Sequence, residues 1–195
     1  PREMKTLTLD LDETLVHCSI EPVPNPDVIF NVNFQGQMYE VYVRKRPYLD
    51  VFLQTVASMF EVVVFTASQK VYADKLLDLL DPKRNLIRHR LFREACVQVQ
   101  GNFIKDLSVL DRDLSKTVLV DNSPHAYGYN VNNGVPILSW FDDESDSELL
   151  KLIEFLKRIE RADDVRSVVR EQFKTFKLVE EAGRIPYRGI PPPLI

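Results

Sequence analysis

Cysteine is nearly absent: the 195 residues include only Cys18 and Cys96, far apart and without a secretory signal, which fits a reducing compartment better than a disulfide framework. Both are expected as small buried or half-buried thiols. Long apolar runs are missing as well. The most continuous blocks, residues 62–65 and 118–120, fall far short of a membrane span or a signal-peptide core, so no membrane segment is expected in this chain. Nor is there an excess of positive charge. Twenty-five basic against 29 acidic residues give a net charge of −4, which removes any global attraction to nucleic acid or an anionic membrane, and no basic stripe interleaved with aromatics replaces it. There is no internal repeat. The chain opens at Pro1 rather than Met, as a fragment or processed form would.

What is present is the composition of one ordinary globular domain, 45% hydrophobic and 28% charged. We place that domain at residues 1–180. The Pro-rich stretch 181–195, with too little apolar surface for a core of its own, is read as a tail.

Along the chain, strands alternate with helices. Residues 6–11 read as a buried strand, because Leu7, Leu9 and Leu11 alternate with Thr and Asp until Asp12-Glu13-Thr14 ends it. A β insertion spans about residues 20–45: the proline-dense stretch 22–26 forbids helix, and residues 28–34 and 38–43 then pair as a hairpin around Gln35-Gly36-Gln37. After Pro47, suited to a first turn, residues 49–60 have helical spacing. A strand at 61–65 stops at Thr66-Ala67-Ser68 and is followed by a helix over 71–80. Residues 91–99 and 102–104 read as β segments turning at Gln100-Gly101, 117–120 as a buried strand ending at Asp121-Asn122, and 135–138 as another. Ser145-x-x-Glu148 predicts a capping box for a helix over 146–159, with a last helix over 165–176.

This order predicts an α/β fold, a doubly wound and mostly parallel sheet whose sites form at the carboxyl ends of the strands. Asp10 and Asp12, Thr66, Lys105, and Asp121 with Asn122 all fall at such ends. An aspartate oxygen is a competent nucleophile toward phosphorus, and a second carboxyl beside it can serve as acid and base. Bringing a phosphate to these carboxylates costs about 4 kcal/mol per charge pair at 4 Å and an effective dielectric near 20, so a cation must compensate. Oxygen ligands from Asp10, the Asp12 carbonyl and Asp121-Asn122 suit Mg²⁺, and Lys105 adds a second positive charge. Each piece alone has a plainer reading. A lone Asp-x-Asp is common on surfaces, Thr66 is an ordinary turn residue, and Lys105-Asp106 suits a hairpin end.

The run Asp10-Leu11-Asp12-Glu13-Thr14-Leu15-Val16-His17 resembles motif one of the haloacid-dehalogenase superfamily. Within that superfamily it looks like the small C-terminal-domain phosphatases related to the enzymes that act on the tail of RNA polymerase II, and in particular their small-phosphatase-like subgroup. The resemblance continues in order through Phe65-Thr66-Ala67-Ser68, Tyr72-Ala73-Asp74, Arg90-Leu91-Phe92-Arg93-Glu94, Gly101 to Leu107, Val120-Asp121-Asn122-Ser123-Pro124 and Ser139-Trp140-Phe141-Asp142, covering about residues 5–170.

By resemblance, Asp10 is the nucleophile and a Mg²⁺ ligand, and Asp12 protonates the departing serine oxygen and then activates water. Thr66 and Lys105 hold the phosphoryl group, Asn122 ligates the metal and Asp121 supports it. No large cap is implied, only an open cleft with the β insertion as one wall. Tyr72 and Arg93 match positions beside the substrate backbone. Ile20 and Gln69 stand where the polymerase-tail enzymes carry an aromatic residue and a leucine in a substrate-proline pocket that Val32, Phe34 and Val41 would also line, and the polar Gln69 lowers its apolar character.

The resemblance thus implies a monomeric, Mg²⁺-dependent phosphatase for phosphoserine or phosphothreonine in proteins. The polymerase tail is one candidate substrate, and the nucleus is the expected compartment with the cytoplasm as the alternative. Two other functions use the same fold: a small-molecule phosphatase, which would carry a larger cap, and a non-catalytic binding module such as an import receptor, which would have lost the nucleophile or lysine. The basic stretches 44–46 and 84–93 read as solvated faces.

Overall fold

The computed structural model describes residues 4–184. The chain folds around a fully parallel five-stranded sheet in the order β10-β9-β1-β5-β6. Its middle strand is β1 (Lys5–Leu9), every residue of which is buried, as expected of a strand covered on both faces. From β1 the chain moves outward in one direction through α1 (Leu49–Met59), β5 (Phe60–Phe65), α2 (Lys70–Leu80) and β6 (His89–Leu91). It then returns to the other side of β1 for β9 (Thr117–Asp121) and β10 (Gly134–Pro136). The direction of winding therefore reverses between β1 and β9, and their carboxyl ends border the crevice where parallel sheets bind ligands.

A second sheet, antiparallel β2-β4-β3, is inserted between β1 and α1. It consists of β2 (Val16–Ser19), β3 (Val28–Phe34) and β4 (Gln37–Lys45). Gln35 and Gly36 both have positive φ, 52° and 82°, so the β3–β4 turn is a two-residue loop of the kind that matches strand twist. β3 packs on α2, where the rings of Phe30 and Tyr72 stack 6.2 Å apart. A small hairpin of β7 (Val97–Val99) and β8 (Asn102–Ile104) completes the strands. One hydrophobic cluster joins β1, β5, β9, the insertion, α1, α2 and the C-terminal helices α3 (Glu148–Arg161) and α4 (Val165–Phe173).

Four expectations on element boundaries change. The first strand stops at Leu9, not Leu11: Glu13 takes a left-handed φ of 56° and the Leu15 N–H turns back to the Leu11 carbonyl. The β segment expected over 91–99 is interrupted by a 3₁₀ turn at Arg93–Ala95, because the Arg93 N–H donates to the Ser68 carbonyl and its Nε to the Ala67 carbonyl. The Ser145-to-Glu148 capping box does not form. Ser145 donates both its N–H and hydroxyl to Asp143, while the Glu148 N–H is capped by Asp146, a carboxylate already fixed by Arg46. The helix expected over 165–176 breaks at Lys174, which is left-handed at φ 49°. A separate α5 (Thr175–Arg184) follows, its Thr175 hydroxyl bonded to the Val131 carbonyl. The rest of the Pro-rich stretch lies outside the described residues.

Candidate active site

The crevice is built by three strand ends and a hairpin. Asp10 leaves β1 with its N–H donated to the Val120 carbonyl of β9, so the first carboxylate is still registered against the sheet. Asp121 is the last residue of β9, Thr66 follows β5, and Lys105 follows β8. Together with Asp12, Glu13, Ala67, Ser68, Asn102, Phe103, Asn122, Ser123 and His125 these residues line a cleft of about 180 Å³.

Lys105 lies at its centre. Its buried Nζ donates to Asp10 Oδ1 at 2.6 Å and to Asp121 Oδ2 at 2.5 Å. Each carboxylate has its second oxygen held as well: the Thr14 hydroxyl donates to Asp10 Oδ2 at 2.8 Å, and the Ser123 N–H to Asp121 Oδ1 at 2.8 Å. Burial favours a neutral amine, but the charges of Asp10 and Asp121 outweigh it and hold Lys105 above the ordinary lysine range. Burial and the neighbouring Asp10 push the Asp121 carboxyl up to about 7, against the pull of Lys105. Two buried carboxylates thus share one ammonium, and only when both are ionised is there excess negative charge for a further cation to offset.

Asp12 turns the other way, toward α2. Its Oδ2 accepts from the Ser68 hydroxyl at 2.6 Å and, at 3.4 Å, from Thr66; its Oδ1 accepts from the Tyr72 phenol at 2.7 Å. Burial, then the charge of Glu13, raises its carboxyl to about 6 even though the Ser68 and Tyr72 bonds oppose the rise. The two aspartates of the Asp-x-Asp run therefore occupy different environments: Asp10 faces an ammonium, and Asp12 sits among hydroxyls.

For a metal, the available donors are all oxygens: the Asp10 and Asp121 carboxylates, the Asp12 carbonyl and the Asn122 carboxamide, whose Nδ2 is tied to the Ser139 hydroxyl at 2.9 Å. Among the described residues no group of three or more carboxylate, His or Cys side chains is arranged to hold a metal ion by itself. That donor set fits Mg²⁺, which takes one or two carboxylates and keeps waters and substrate oxygens for the rest.

The structure brings Asp10, Asp12, Thr66, Lys105, Asp121 and Asn122 into one cleft. Other expected contacts lie elsewhere. Val32 and Val41, each 2% exposed, point into the core and do not line an open pocket. Tyr72, also 2% exposed, is covered by Phe30 and bonded to Asp12, so it is no surface contact for a peptide backbone. Arg93 is half-buried, with its guanidinium 5.3 Å from the Phe103 ring at the cleft wall. Gln69 and Phe34 are half-buried and Ile20 is exposed.

Arg46, expected on a solvated basic face, is 1% exposed. It forms a two-pronged pair with Asp146, at 2.8 Å for each contact, and donates to the Thr14 carbonyl at 3.0 Å. It thereby ties the loop after Asp10 to the approach to α3. Trp140 braces the same loop through its backbone N–H, which donates to the Glu13 carbonyl. In sequence Arg46 is the third of three consecutive basic residues, and only its place just before Pro47, at the end of an apolar strand, hints that it turns inward.

The sequence profile of the NLI interacting factor-like phosphatases matches residues 5–166. The chain is 52% identical over 177 residues to CTD small phosphatase-like protein 2 of Dictyostelium discoideum, covering 91% of this chain and 31% of that protein. It is 50% identical over 198 residues to CTD small phosphatase-like protein 3 of Caenorhabditis elegans, covering 96% and 69%. Against the human carboxy-terminal domain RNA polymerase II polypeptide A small phosphatase 1 it is 51% identical over 165 residues, covering 85% and 63%. The chain thus spans between about a third and two thirds of the length of these relatives. Among solved structures, Fcp1, an essential RNA polymerase II CTD phosphatase, superposes with a TM-score of 0.63 at 20% identity, over 96% of this chain and 56% of that one. Fission yeast Fcp1 bound to beryllium fluoride gives 0.60 at 19% identity, over 91% and 56%. These two show the shared α/β fold, and the profile with the sequence relatives establishes descent: this chain belongs to the NLI interacting factor-like phosphatase family.

Proposed function

We propose that this domain is a Mg²⁺-dependent phosphatase that removes phosphate from serine or threonine in proteins through an aspartyl-phosphate on Asp10. The observation that carries the reading is the buried Lys105 ammonium bridging Asp10 and Asp121 at the base of an oxygen-lined cleft, with a second, differently surrounded carboxyl of Asp12 beside it.

In the first step an Asp10 carboxylate oxygen forms a bond to phosphorus while the bond from phosphorus to the serine oxygen breaks, and the Asp12 proton passes to that oxygen. In the second step the Asp12 carboxylate takes a proton from water, the water oxygen bonds to phosphorus, and the bond to Asp10 breaks, regenerating both aspartates. Lys105 and the Thr66 hydroxyl offset charge on the phosphoryl oxygens. Asp10, the Asp12 carbonyl and Asn122, with Asp121 behind them, would hold Mg²⁺, which neutralises phosphoryl charge when bound.

Only the three-stranded insertion stands between β1 and α1, too small to enclose the cleft as a cap would, which favours a residue on a protein chain over an enclosed small metabolite. The relatives' names make the polymerase II tail a candidate substrate and the nucleus a candidate compartment. We take the enzyme to act as a monomer, and we do not carry over proline-directed preference: Gln69 is polar, and Val32 and Val41 are spent on the core. A binding module on this fold has no need of a charge-matched nucleophile, and this chain retains one.

The test is acid-quenched mass spectrometry after mixing with a phosphoserine peptide. A phosphate that maps to the Asp10 peptide and is released by hydroxylamine is expected. Turnover with phosphate trapped on a different residue would contradict the reading.

A further inference from the structure

Tyr72 is a buried phenol that the mechanism above does not use. It sits in the first turn of α2, and its hydroxyl lies 2.7 Å from Asp12 Oδ1 and 2.7 Å from Cys18 Sγ of β2. A phenol has one proton, so donation to the carboxylate leaves its oxygen to accept from the Cys18 thiol. The ring stacks nearly parallel to Phe30 of β3, at 13°, which prevents it from swinging out. Both residues that hold Tyr72 come from the β insertion.

The two oxygens of Asp12 are therefore gripped from different sides. Oδ2 contacts Ser68 and Thr66, which line the cleft, whereas Oδ1 contacts Tyr72, which does not. Hydroxyls donate to an ionised carboxyl and can accept from a protonated one, so this grip persists through a cycle in which Asp12 gives up and regains a proton.

We propose that Tyr72 is the positioning residue of the general acid: its hydroxyl holds Asp12 Oδ1 away from the cleft so that Oδ2 presents its proton to the departing serine oxygen, and the β insertion sets this geometry through Cys18 and Phe30. The inference rests on the acid–base role proposed for Asp12. Tyr72 acts through Asp12 and touches no substrate.

The test compares leaving groups in a single turnover. Release of a serine peptide needs a proton; release of p-nitrophenolate, stable as an anion, does not. Tyr72→Phe keeps the ring stack and is expected to slow first-turnover release of the serine peptide about 10-fold or more, as displacement of a reacting group does, while leaving p-nitrophenolate release within about twofold and the peptide KM unchanged. Asp12→Asn is expected to show the same split more strongly. Adding Tyr72→Phe to Asp12→Asn should slow peptide release no further, since the residue it acts through is already lost. Equal slowing of both substrates, a raised KM at unchanged kcat, or a further fall in the double variant would overturn the assignment. A split in Asp12→Asn without one in Tyr72→Phe would overturn the positioning role alone. No split in Asp12→Asn would overturn the general-acid reading and this one with it.

Discussion

Lys105 holds the site together at the residue scale, because without it two buried carboxylates would face each other with no counter-charge. Lys105→Ala should lower kcat by about 10²–10³-fold, the usual cost of removing one well-placed charge or donor from a phosphoryl or oxyanion site, with a smaller change in KM; steady-state kinetics on a phosphoserine peptide would measure it. An unchanged kcat would mean the ammonium is structural. Asp10, Asp12, Thr66, Lys105, Asp121 and Asn122 were legible in the sequence because each falls where an apolar strand pattern gives way to polar residues, and the parallel topology then gathers those ends. The burial of Tyr72, expected as a substrate contact, and of Arg46 was not. Nothing local distinguishes a tyrosine on a helix face at the surface from one pressed under a neighbouring sheet, and the stretch Arg44-Lys45-Arg46 reads as solvated until Asp146, a hundred residues on, supplies the partner.

Among elements, two ion pairs clamp opposite parts of the fold. Arg46 links the end of β4, the loop after Asp10 and the start of α3. Arg46→Ala leaves Asp146 without its partner and the Thr14 carbonyl without its donor, so it should destabilise the fold by about 3–5 kcal/mol, as breaking a buried pair does; urea denaturation would show it as a lower midpoint.

The second clamp is shallower. Glu61 of β5 accepts from Arg112 through both carboxylate oxygens, and the Arg112 bond, helped by Thr6 and His89, pulls its carboxyl from 4.5 down to about 2. A carboxyl depressed on folding contributes stability above its unfolded pKa, and the contribution is lost as pH falls through the folded value. Arg112→Ala should therefore cost little near neutral pH, since solvent screens the pair, and that small difference should shrink between pH 4.5 and about 2. Thermal melts of the two proteins across that range would measure it. A gap that widened toward low pH would contradict the assignment.

Element boundaries were less legible than elements for the same reason. The Ser145 capping box lost to Asp146 because Arg46 had already fixed that carboxylate, and the helix expected to Phe176 broke at Lys174 because Thr175 found the Val131 carbonyl. Local pattern proposes a terminus, and a distant partner moves it.

For the whole molecule, the reversal of winding at β1 and β9 gives one crevice, and the β insertion covers the face of α2 that carries Tyr72. Strand–helix alternation was enough to read the parallel sheet. The closed packing of Val32 and Val41 was not readable, because an alternating hairpin has one apolar face and the sequence does not say whether that face meets a substrate or the core. It meets the core, and the cleft is left with Asp10, Lys105 and Asp121 at its base. The direct test is phosphate release from a phosphoserine peptide with Mg²⁺ or with a chelator, for the native chain and for Asp10→Asn. The account predicts release that stops on chelation and is abolished in Asp10→Asn. Release that persists at the native rate in Asp10→Asn, or that ignores removal of the metal, would contradict it.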